Sequence, residues 1–473
     1  MLKKIILSIS LSLSYLFSQQ EIYIPNPNNI DLFQNQLIIN NSYEKEKKIN
    51  SQTFTINDNE LLNNEPLTAI ILDRAIEMQS LDIIEHLINI YASFENKDLI
   101  LLIYAQSRLN HLKGNYKESI NGYKQILSLN DKLSPIRLYL IEALLENHQF
   151  DLASKELNLL SMDSNLPEEI KQTIDKYKLI IDDELSFKFT FQINYISDKN
   201  INETSNDEYI KIGDKLFKRD EKSLPQAGKG ISYNYGIEKD YKIKDQNFLL
   251  MSLQNNGKYY YNQNDYNDNI VRMNLGYKFE DAIKTINILP FYQDRFFGNN
   301  PYNHTIGNSV NSSFNLNKEF KLIPTFEYGR NFHEDRIFLD GYYYYESLGS
   351  NYILTNQTTF FNNFSIYDNH TKDSSESFVR KNLKFGFYHD LTLDFCTEVS
   401  FSIGNKIYDN DNNIFNIRRN DNEYTEFISF WDKEFKIFNL TPKFNIEFNK
   451  NSSNINIYNY TNNKYFFSLE KLF

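Results

Sequence analysis

The chain has 473 residues, 24% charged and 41% hydrophobic, which excludes a generally disordered polymer. A net charge of −12 argues against a nucleic-acid binder, and a single cysteine, Cys396, excludes an internal disulfide framework and any paired-cysteine metal or redox centre. Aromatic residues reach 15%, from 34 Tyr and 37 Phe beside one Trp, while only 15 Gly and 10 Pro exclude collagen-like material.

Lys3 and Lys4 precede the apolar stretch Ile5 to Phe17. A positive n-region before a short h-region predicts a signal peptide over residues 1–18 and bacterial Sec export. The stretch is too short and serine-rich for a membrane helix, which needs roughly 18 apolar residues. Residues 19–66 read as a polar arm with a charge cluster at Glu44 to Lys48.

Residues 67–183 carry apolar positions three and four apart with few Pro or Gly, which predicts helices. A repeat is embedded in them. Tyr116 and Phe150 lie 34 residues apart, and the same offset relates Ser119 to Ala153, Tyr123 to Leu157 and Leu109 to Ala143. A 34-residue period with a turn at Gly114 and Asn115 is the tetratricopeptide (TPR) pattern. Leu81 to Tyr91 is a weaker third copy, and Pro167 opens a last helix. Such a stack has a concave face, here predicted to carry Tyr104, Arg108, His111, Leu138 and Glu142 as candidate client-binding residues.

From Leu185 the period becomes two. Leu185, Phe187, Phe189, Phe191, Ile193 and Tyr195 share one face, with Ser186, Lys188, Thr190, Gln192 and Asn194 on the other. Val271 to Phe279 and Phe438 to Phe448 repeat the alternation. Runs of ~9–12 residues match the length of a tilted membrane-spanning strand. The fold class is therefore α+β and multidomain: TPR-like helices, then a transmembrane antiparallel barrel of about fourteen strands over residues 185–473. Aromatics at run ends, Tyr259 to Tyr261 and Tyr342 to Tyr345, are predicted to form interfacial girdles. Residues 197–226 are predicted to form an external loop or a lumen constriction. Tyr465, Phe467, Leu469 and Phe473 share one face of the terminal segment and form a candidate barrel-assembly signal.

Catalytic motifs are absent from the sequence: no GxSxG, HExxH, CxxC, Walker loop or GxGxxG occurs. Asp409, Asp411 and Asn413 imitate the start of a calcium loop, but Ile414 and Asn420 stand where Gly and Glu are required. His333, Glu334 and Asp335 read as a strand-end turn. No enzyme activity, metal or cofactor is expected.

Leader, short TPR stack and barrel together resemble the surface lipoprotein assembly modulator (Slam) family. The resemblance is carried by Arg418 to Tyr424 (RRNDNEY, with Arg419 and Asp421), Ser429 to Trp431 (SFW), Leu440 to Phe444 (LTPKF, with Thr441 and Pro442), Ser453 to Ile455 (SNI, with Asn454), Tyr458, Tyr460 and Phe473. Asn439 stands where that family usually carries Gly. The resemblance spans about residues 80–473 and implies a non-enzymatic outer-membrane protein. It implies clients that are surface lipoproteins or related secreted proteins, outer-membrane lipid as surroundings, and a periplasmic chaperone and the barrel-assembly machinery as further partners. The helical domain would capture the client, which then passes through or beside the barrel, with a lateral gate between Leu185 to Tyr195 and Tyr465 to Phe473. A TPR-barrel polysaccharide exporter and an outer-membrane lipase are the alternatives.

Overall fold

The computed structural model describes residues 58–163 and 166–471. The expected leader, residues 19–57 of the arm, and Phe473 lie outside the described residues.

Eight α-helices occur among the described residues: α1 (Asp58–Leu62), α2 (Glu65–Glu77), α3 (Leu81–Ala92), α4 (Leu99–Leu112), α5 (Tyr116–Leu129), α6 (Ser134–Glu146), α7 (Phe150–Ser161) and α8 (Glu168–Glu184). Local chemistry starts them. The Asn64 side chain accepts from Leu67 N at 3.2 Å, Asp98 accepts from Ile100 N at 2.8 Å, and Pro66 and Pro135 occupy first turns where no backbone donor is needed. Helices α2/α3, α4/α5 and α6/α7 form three hairpins, and each reverses at a left-handed residue: Gln79 (φ 53°), Gly114 (φ 79°) and His148 (φ 55°). Ser119 and Ala153, 34 residues apart, are fully buried, as are Tyr123 and Leu157. Small residues at these positions let paired helices approach. Gly122 is closer still, since a Cβ there would stand 2.0 Å from Ser107 Oγ. Two apolar cores result, one around Leu72, Ile84, Leu87 and Tyr91, the other around Tyr123, Leu140, Leu144, Phe150 and Leu157. Each fully buried aliphatic side chain contributes about 1.5–3 kcal/mol.

Sixteen strands follow among the described residues. They are β1 (Lys188–Asp198), β2 (Tyr209–Ile212), β3 (Lys215–Lys218), β4 (Gly228–Lys244), β5 (Asn247–Tyr260), β6 (Asp268–Glu280), β7 (Lys284–Phe297), β8 (Asn300–Asn315), β9 (Phe320–His333), β10 (Gly341–Thr355), β11 (Thr358–Thr371), β12 (Phe378–Asp390), β13 (Phe395–Asp411), β14 (Arg418–Asp432), β15 (Thr441–Ser453) and β16 (Tyr460–Lys471). β2 and β3 form a separate hairpin. The other fourteen close an antiparallel barrel in which each strand pairs with its neighbour and β16 returns to β1.

Alternation assigns the faces. On β5 and β6, Leu249, Met251, Leu253, Met273, Leu275 and Tyr277 point outward and are exposed, while Ser252, Arg272, Asn274 and Lys278 are buried inside. Apolar outside and charged inside is the inverse of a water-soluble sandwich. It is the pattern of a barrel whose outer solvent is lipid, where closure also leaves no unpaired sheet edge.

Two details differ from the alternation pattern. The third alternating run begins as a strand at Thr441, because Phe438 and Asn439 take left-handed conformations (φ 52° and 64°) and turn the chain, leaving Phe438 93% exposed. Within Tyr342 to Tyr345, Tyr342 and Tyr344 face outward, but Tyr343 and Tyr345 are buried inside, since successive strand residues point to opposite faces.

Candidate functional site

Four of the five candidates, Tyr104, Arg108 and His111 on α4 and Glu142 on α6, are joined in one cluster, while Leu138 on α6 packs against the second helical core. Arg108 is hydrogen-bonded to His111 Nδ1 at 3.2 Å, His111 Nε2 to Glu146 Oε2 at 2.7 Å, and Arg108 lies 3.7 Å from Glu142. The Arg108 guanidinium sits 4.4 Å from the centre of the Tyr139 ring, which packs against Tyr104 and stacks on Tyr123. Arg108 and His111 are buried at 5% and 7% exposure, whereas Tyr104, Leu138 and Glu142 are half-buried. The constellation is thus a tyrosine-rich floor held by buried Arg108 and His111, with the Glu142 and Glu146 carboxylates reaching solvent.

Burial, with Tyr139 adjacent, raises the Tyr104 hydroxyl, and burial pushes Tyr123 up to about 12 against the pull of Arg108. Burial and the two carboxylates push Tyr177, on α8, up to about 12. Burial is the largest influence on Glu146 and opposes its charge, but His111, the Tyr116 hydroxyl and Arg108 together outweigh it and hold the carboxyl below its ordinary value. Tyr116, Tyr123, Tyr139, Glu146 and Tyr177 were not among the sequence candidates. An offset near 34 carries a signal for two of them: Tyr139 follows Tyr104, and Glu146 follows His111, by 35 residues.

The helical domain rests on one rim of the barrel through the α6–α7 turn. Gln246 Nε2 donates to Asn147 O at 3.1 Å, Ala282 N to Asn147 Oδ1 at 3.4 Å, and Lys242 pairs with Asp151 at 2.9 Å. Phe248 of β5 is 1% exposed and joins the second helical core, its ring 6.4 Å from that of Phe150.

The barrel interior is charge-compensated. Arg272 reaches both carboxylate oxygens of Glu327 at 3.2 and 2.8 Å, and Arg295 both of Asp268 at 2.9 and 2.7 Å. Lys278 pairs with Asp240 at 2.7 Å and Glu280 at 2.8 Å, and Lys443 with Glu470 at 2.6 Å. Compensation is required because an unpaired buried charge costs several kcal/mol. A row of rings, Tyr343, Tyr367, Phe378 and Tyr408, crosses four strands at 5.1–5.8 Å centroid spacing, with the Lys406 ammonium 4.0 Å over Phe378.

The motif residues fall at the two ends of β14 to β16. At the end away from the helices, Arg419 pairs with Asp421 at 2.7 Å and stacks 3.3 Å over Tyr458, while Asn454 accepts from Asn420 N at 2.8 Å and donates to Arg418 O at 2.7 Å. Ser453 Oγ accepts from Ile455 N at 3.1 Å. These groups shape the 454–459 loop. At the helical end, Lys443 stacks 4.6 Å over Trp431, Thr441 Oγ1 accepts from Lys436 at 2.6 Å, and Pro442 is opposite Leu469. Asn439, at φ 64°, occupies a position where Gly is sterically easiest and Asn is the commonest substitute. Tyr465 and Phe467 face outward and are exposed, and Leu469 follows on the same face.

β1 and β16 are in register only over Phe191–Tyr195 and Phe467–Lys471 among the described residues, five pairs, whereas β1/β4 and β15/β16 each run for eleven. Beyond Tyr195 the two strands are bridged by side chains: Asn462 Nδ2 donates to Asp198 Oδ1 at 2.7 Å, and Lys464 lies 3.7 Å from Asp198. Residues 199–227, which include β2 and β3, fold across this gap.

The family profile described as "Surface lipoprotein assembly modifier" matches residues 187–473, and the one described as "Surface lipoprotein assembly modifier, N-terminal TPR repeats" matches residues 54–157. The chain is 24% identical over 440 residues to "Surface lipoprotein assembly modifier 2" of Haemophilus influenzae, covering 91% of this chain and 90% of that protein. It is 22% identical over 254 residues to the "Hemophilin secretion modulator" of Acinetobacter baumannii, covering 52% and 50%. Among solved structures, the outer-membrane channel DcaP of Acinetobacter baumannii aligns at 6% identity with a TM-score of 0.36, over 60% of this chain and 97% of that one.

Proposed function

The chain belongs to the surface lipoprotein assembly modifier family and is an outer-membrane β-barrel protein, and from that premise we propose that it moves particular client proteins to the cell surface. The helical domain lies on the periplasmic side and receives the client. Its floor of tyrosines, edged by Glu142 and Glu146, gives an extended or partly folded polypeptide many weak contacts. The client then passes through or beside the barrel. Its route is the β1/β16 seam, where an acyl chain can stay in lipid while the polypeptide crosses. The names of the relatives, a lipoprotein assembly modifier and a secretion modulator, suit a client that is either lipidated or released.

The observation that supports this reading is the docking of the helical domain on the barrel rim through Phe150 and Phe248; a client held on that domain is then beside the membrane passage. A periplasmic chaperone would deliver the client, and the barrel-assembly machinery would insert the protein itself. The experiment is deletion of the gene followed by protease shaving of intact cells and comparison of released peptides, with total protein as control. One or a few lipoproteins should vanish from the surface yet persist in the cell. Loss of a sugar coat with unchanged surface proteins would replace this reading by polysaccharide export.

A further inference from the structure

The seam between β1 and β16 has two unlike halves. On the periplasmic side it is a regular ladder, Phe191–Tyr195 against Phe467–Lys471. On the extracellular side β16 still pairs with β15 as far as Tyr460, and β1 with β4 as far as Asp198. Thr461 to Phe466 are therefore laddered on one edge only.

Asp198 and Asn200 face that edge at Asn462, whose Nδ2 donates to Asp198 Oδ1 at 2.7 Å and to Asn200 O at 3.5 Å, and a strap, residues 199–227, closes its extracellular end. Ser205 N donates to Ile457 O at 3.0 Å, Thr204 Oγ1 to the same oxygen at 3.2 Å, and Tyr460 Oη to Glu203 at 2.9 Å. Ile210 packs with Ile455 and Ile457, all buried, with Phe415 and Tyr458 against them. The strap is held together by Arg219, 7% exposed, whose guanidinium donates to Ser205 O at 2.7 Å, Asp207 O at 2.9 Å, Thr204 Oγ1 at 2.6 Å and the Ser223 carbonyl. A strand edge with one free side is a template for another strand. In a lipid-embedded barrel an uncovered edge is costly, so one that lacks a ladder needs a cover. Here the cover is a loop bound by side chains and two hydrogen bonds to one carbonyl, which can leave without breaking the periplasmic ladder.

We propose that the extracellular half of the β1/β16 seam is a strand-docking site for an extended segment of a client polypeptide, covered at rest by the strap. This rests on the translocator reading. The edge from Thr461 to Phe466 is long enough, at roughly 3.3 Å per residue, to pair with one extended segment of about six residues. Arg219 is the positioning residue, acting through the strap and not on the client.

The test uses the full chain in outer-membrane vesicles. The probe is a synthetic peptide of this chain's own sequence Phe189 to Ser197, carrying a photo-crosslinker, since its residues Phe191 to Tyr195 already pair with the same edge of β16 further along, at Phe467 to Lys471. Arg219→Ala should raise cross-linking to residues 461–466 at least tenfold over the parent protein. An oxidised Ser205→Cys/Ile457→Cys pair should abolish it, and reduction should restore the parental level. Equal labelling of the oxidised and reduced pair overturns the proposal, as does labelling that maps elsewhere. If Arg219→Ala loses the heat-modifiable band of a folded barrel, the oxidised and reduced comparison decides alone. In cells, the oxidised pair should lower surface display of the deletion-dependent proteins at least tenfold. Full display by the locked protein overturns the strand site while leaving translocation standing. A deletion that changes no surface protein overturns both.

Discussion

Phe248→Ala should detach the helical domain from the barrel while leaving both folded. Phe248 is a barrel residue that completes a helical core, at 1% exposure against Phe150. Removing a buried phenyl ring costs about 3–5 kcal/mol. The polar contacts that remain are weak. Asp151, partner of Lys242, is 55% exposed, so that pair is worth about 0–1 kcal/mol, and the two Asn147 hydrogen bonds about 0.5–1.5 kcal/mol each. The ring thus supplies the largest single share of the docking energy, ahead of these contacts and of the longer His148–Glu280 approach at 3.8 Å. Losing ~3 kcal/mol lowers the docked-to-free ratio by about two decades at 1.4 kcal/mol per decade. Spin labels at Lys155 on α7 and Lys318 on the β8–β9 turn, both exposed, report the relative position. Buried Cys396 stays in place. The parent should give one narrow distance distribution, and the variant a broad one with unchanged circular dichroism. An equally narrow distribution in the variant would refute the assignment of docking energy to this ring. Client display should fall in step with the loss of docking.

Three further outcomes are expected. Glu146 has a carboxyl held below its ordinary value in the folded state, so its contribution is present above the unfolded carboxylate value, about 4.3, and is lost as pH falls through the lower folded value. Thermal unfolding of the helical domain between pH 5 and 3 should therefore steepen with acid, and Glu146→Gln should flatten that dependence. Arg419→Met leaves Asp421, 1% exposed, without its counter-ion, which costs about 3–5 kcal/mol, so protease should cut the 454–459 loop and the strap faster on whole cells. Asn439→Gly relieves a left-handed φ of 64° and should raise barrel stability by up to about 1 kcal/mol in urea titration, whereas Asn439→Val should lower it.

Much of the fold was legible in the residues. Period-two alternation from Leu185 assigns β-strands and their faces because successive side chains must point oppositely, and the ~9–12-residue runs set the strand length for a bilayer. The 34-residue offset places Ser119 and Ala153 at buried helix crossings, as both turn out to be. The same register relates Arg108 to Glu142, 34 residues on, and the two meet at 3.7 Å; their role toward a client is a proposal.

Other features depend on partners remote in sequence. Alternation puts Arg272 and Glu327 inside the barrel, but only closure brings them together across 55 residues. It cannot divide Tyr342 to Tyr345 between lipid and lumen until the register of β10 is settled. The seam is more distant still, because Glu203 and Tyr460 are separated by 257 residues and meet only when the last strand returns to the first. Local propensity and periodicity act within a few residues and so write the elements into the sequence. The strap over the seam and the ring that anchors the helices are set by shape and counter-charge between distant segments, and exist only once the barrel has closed.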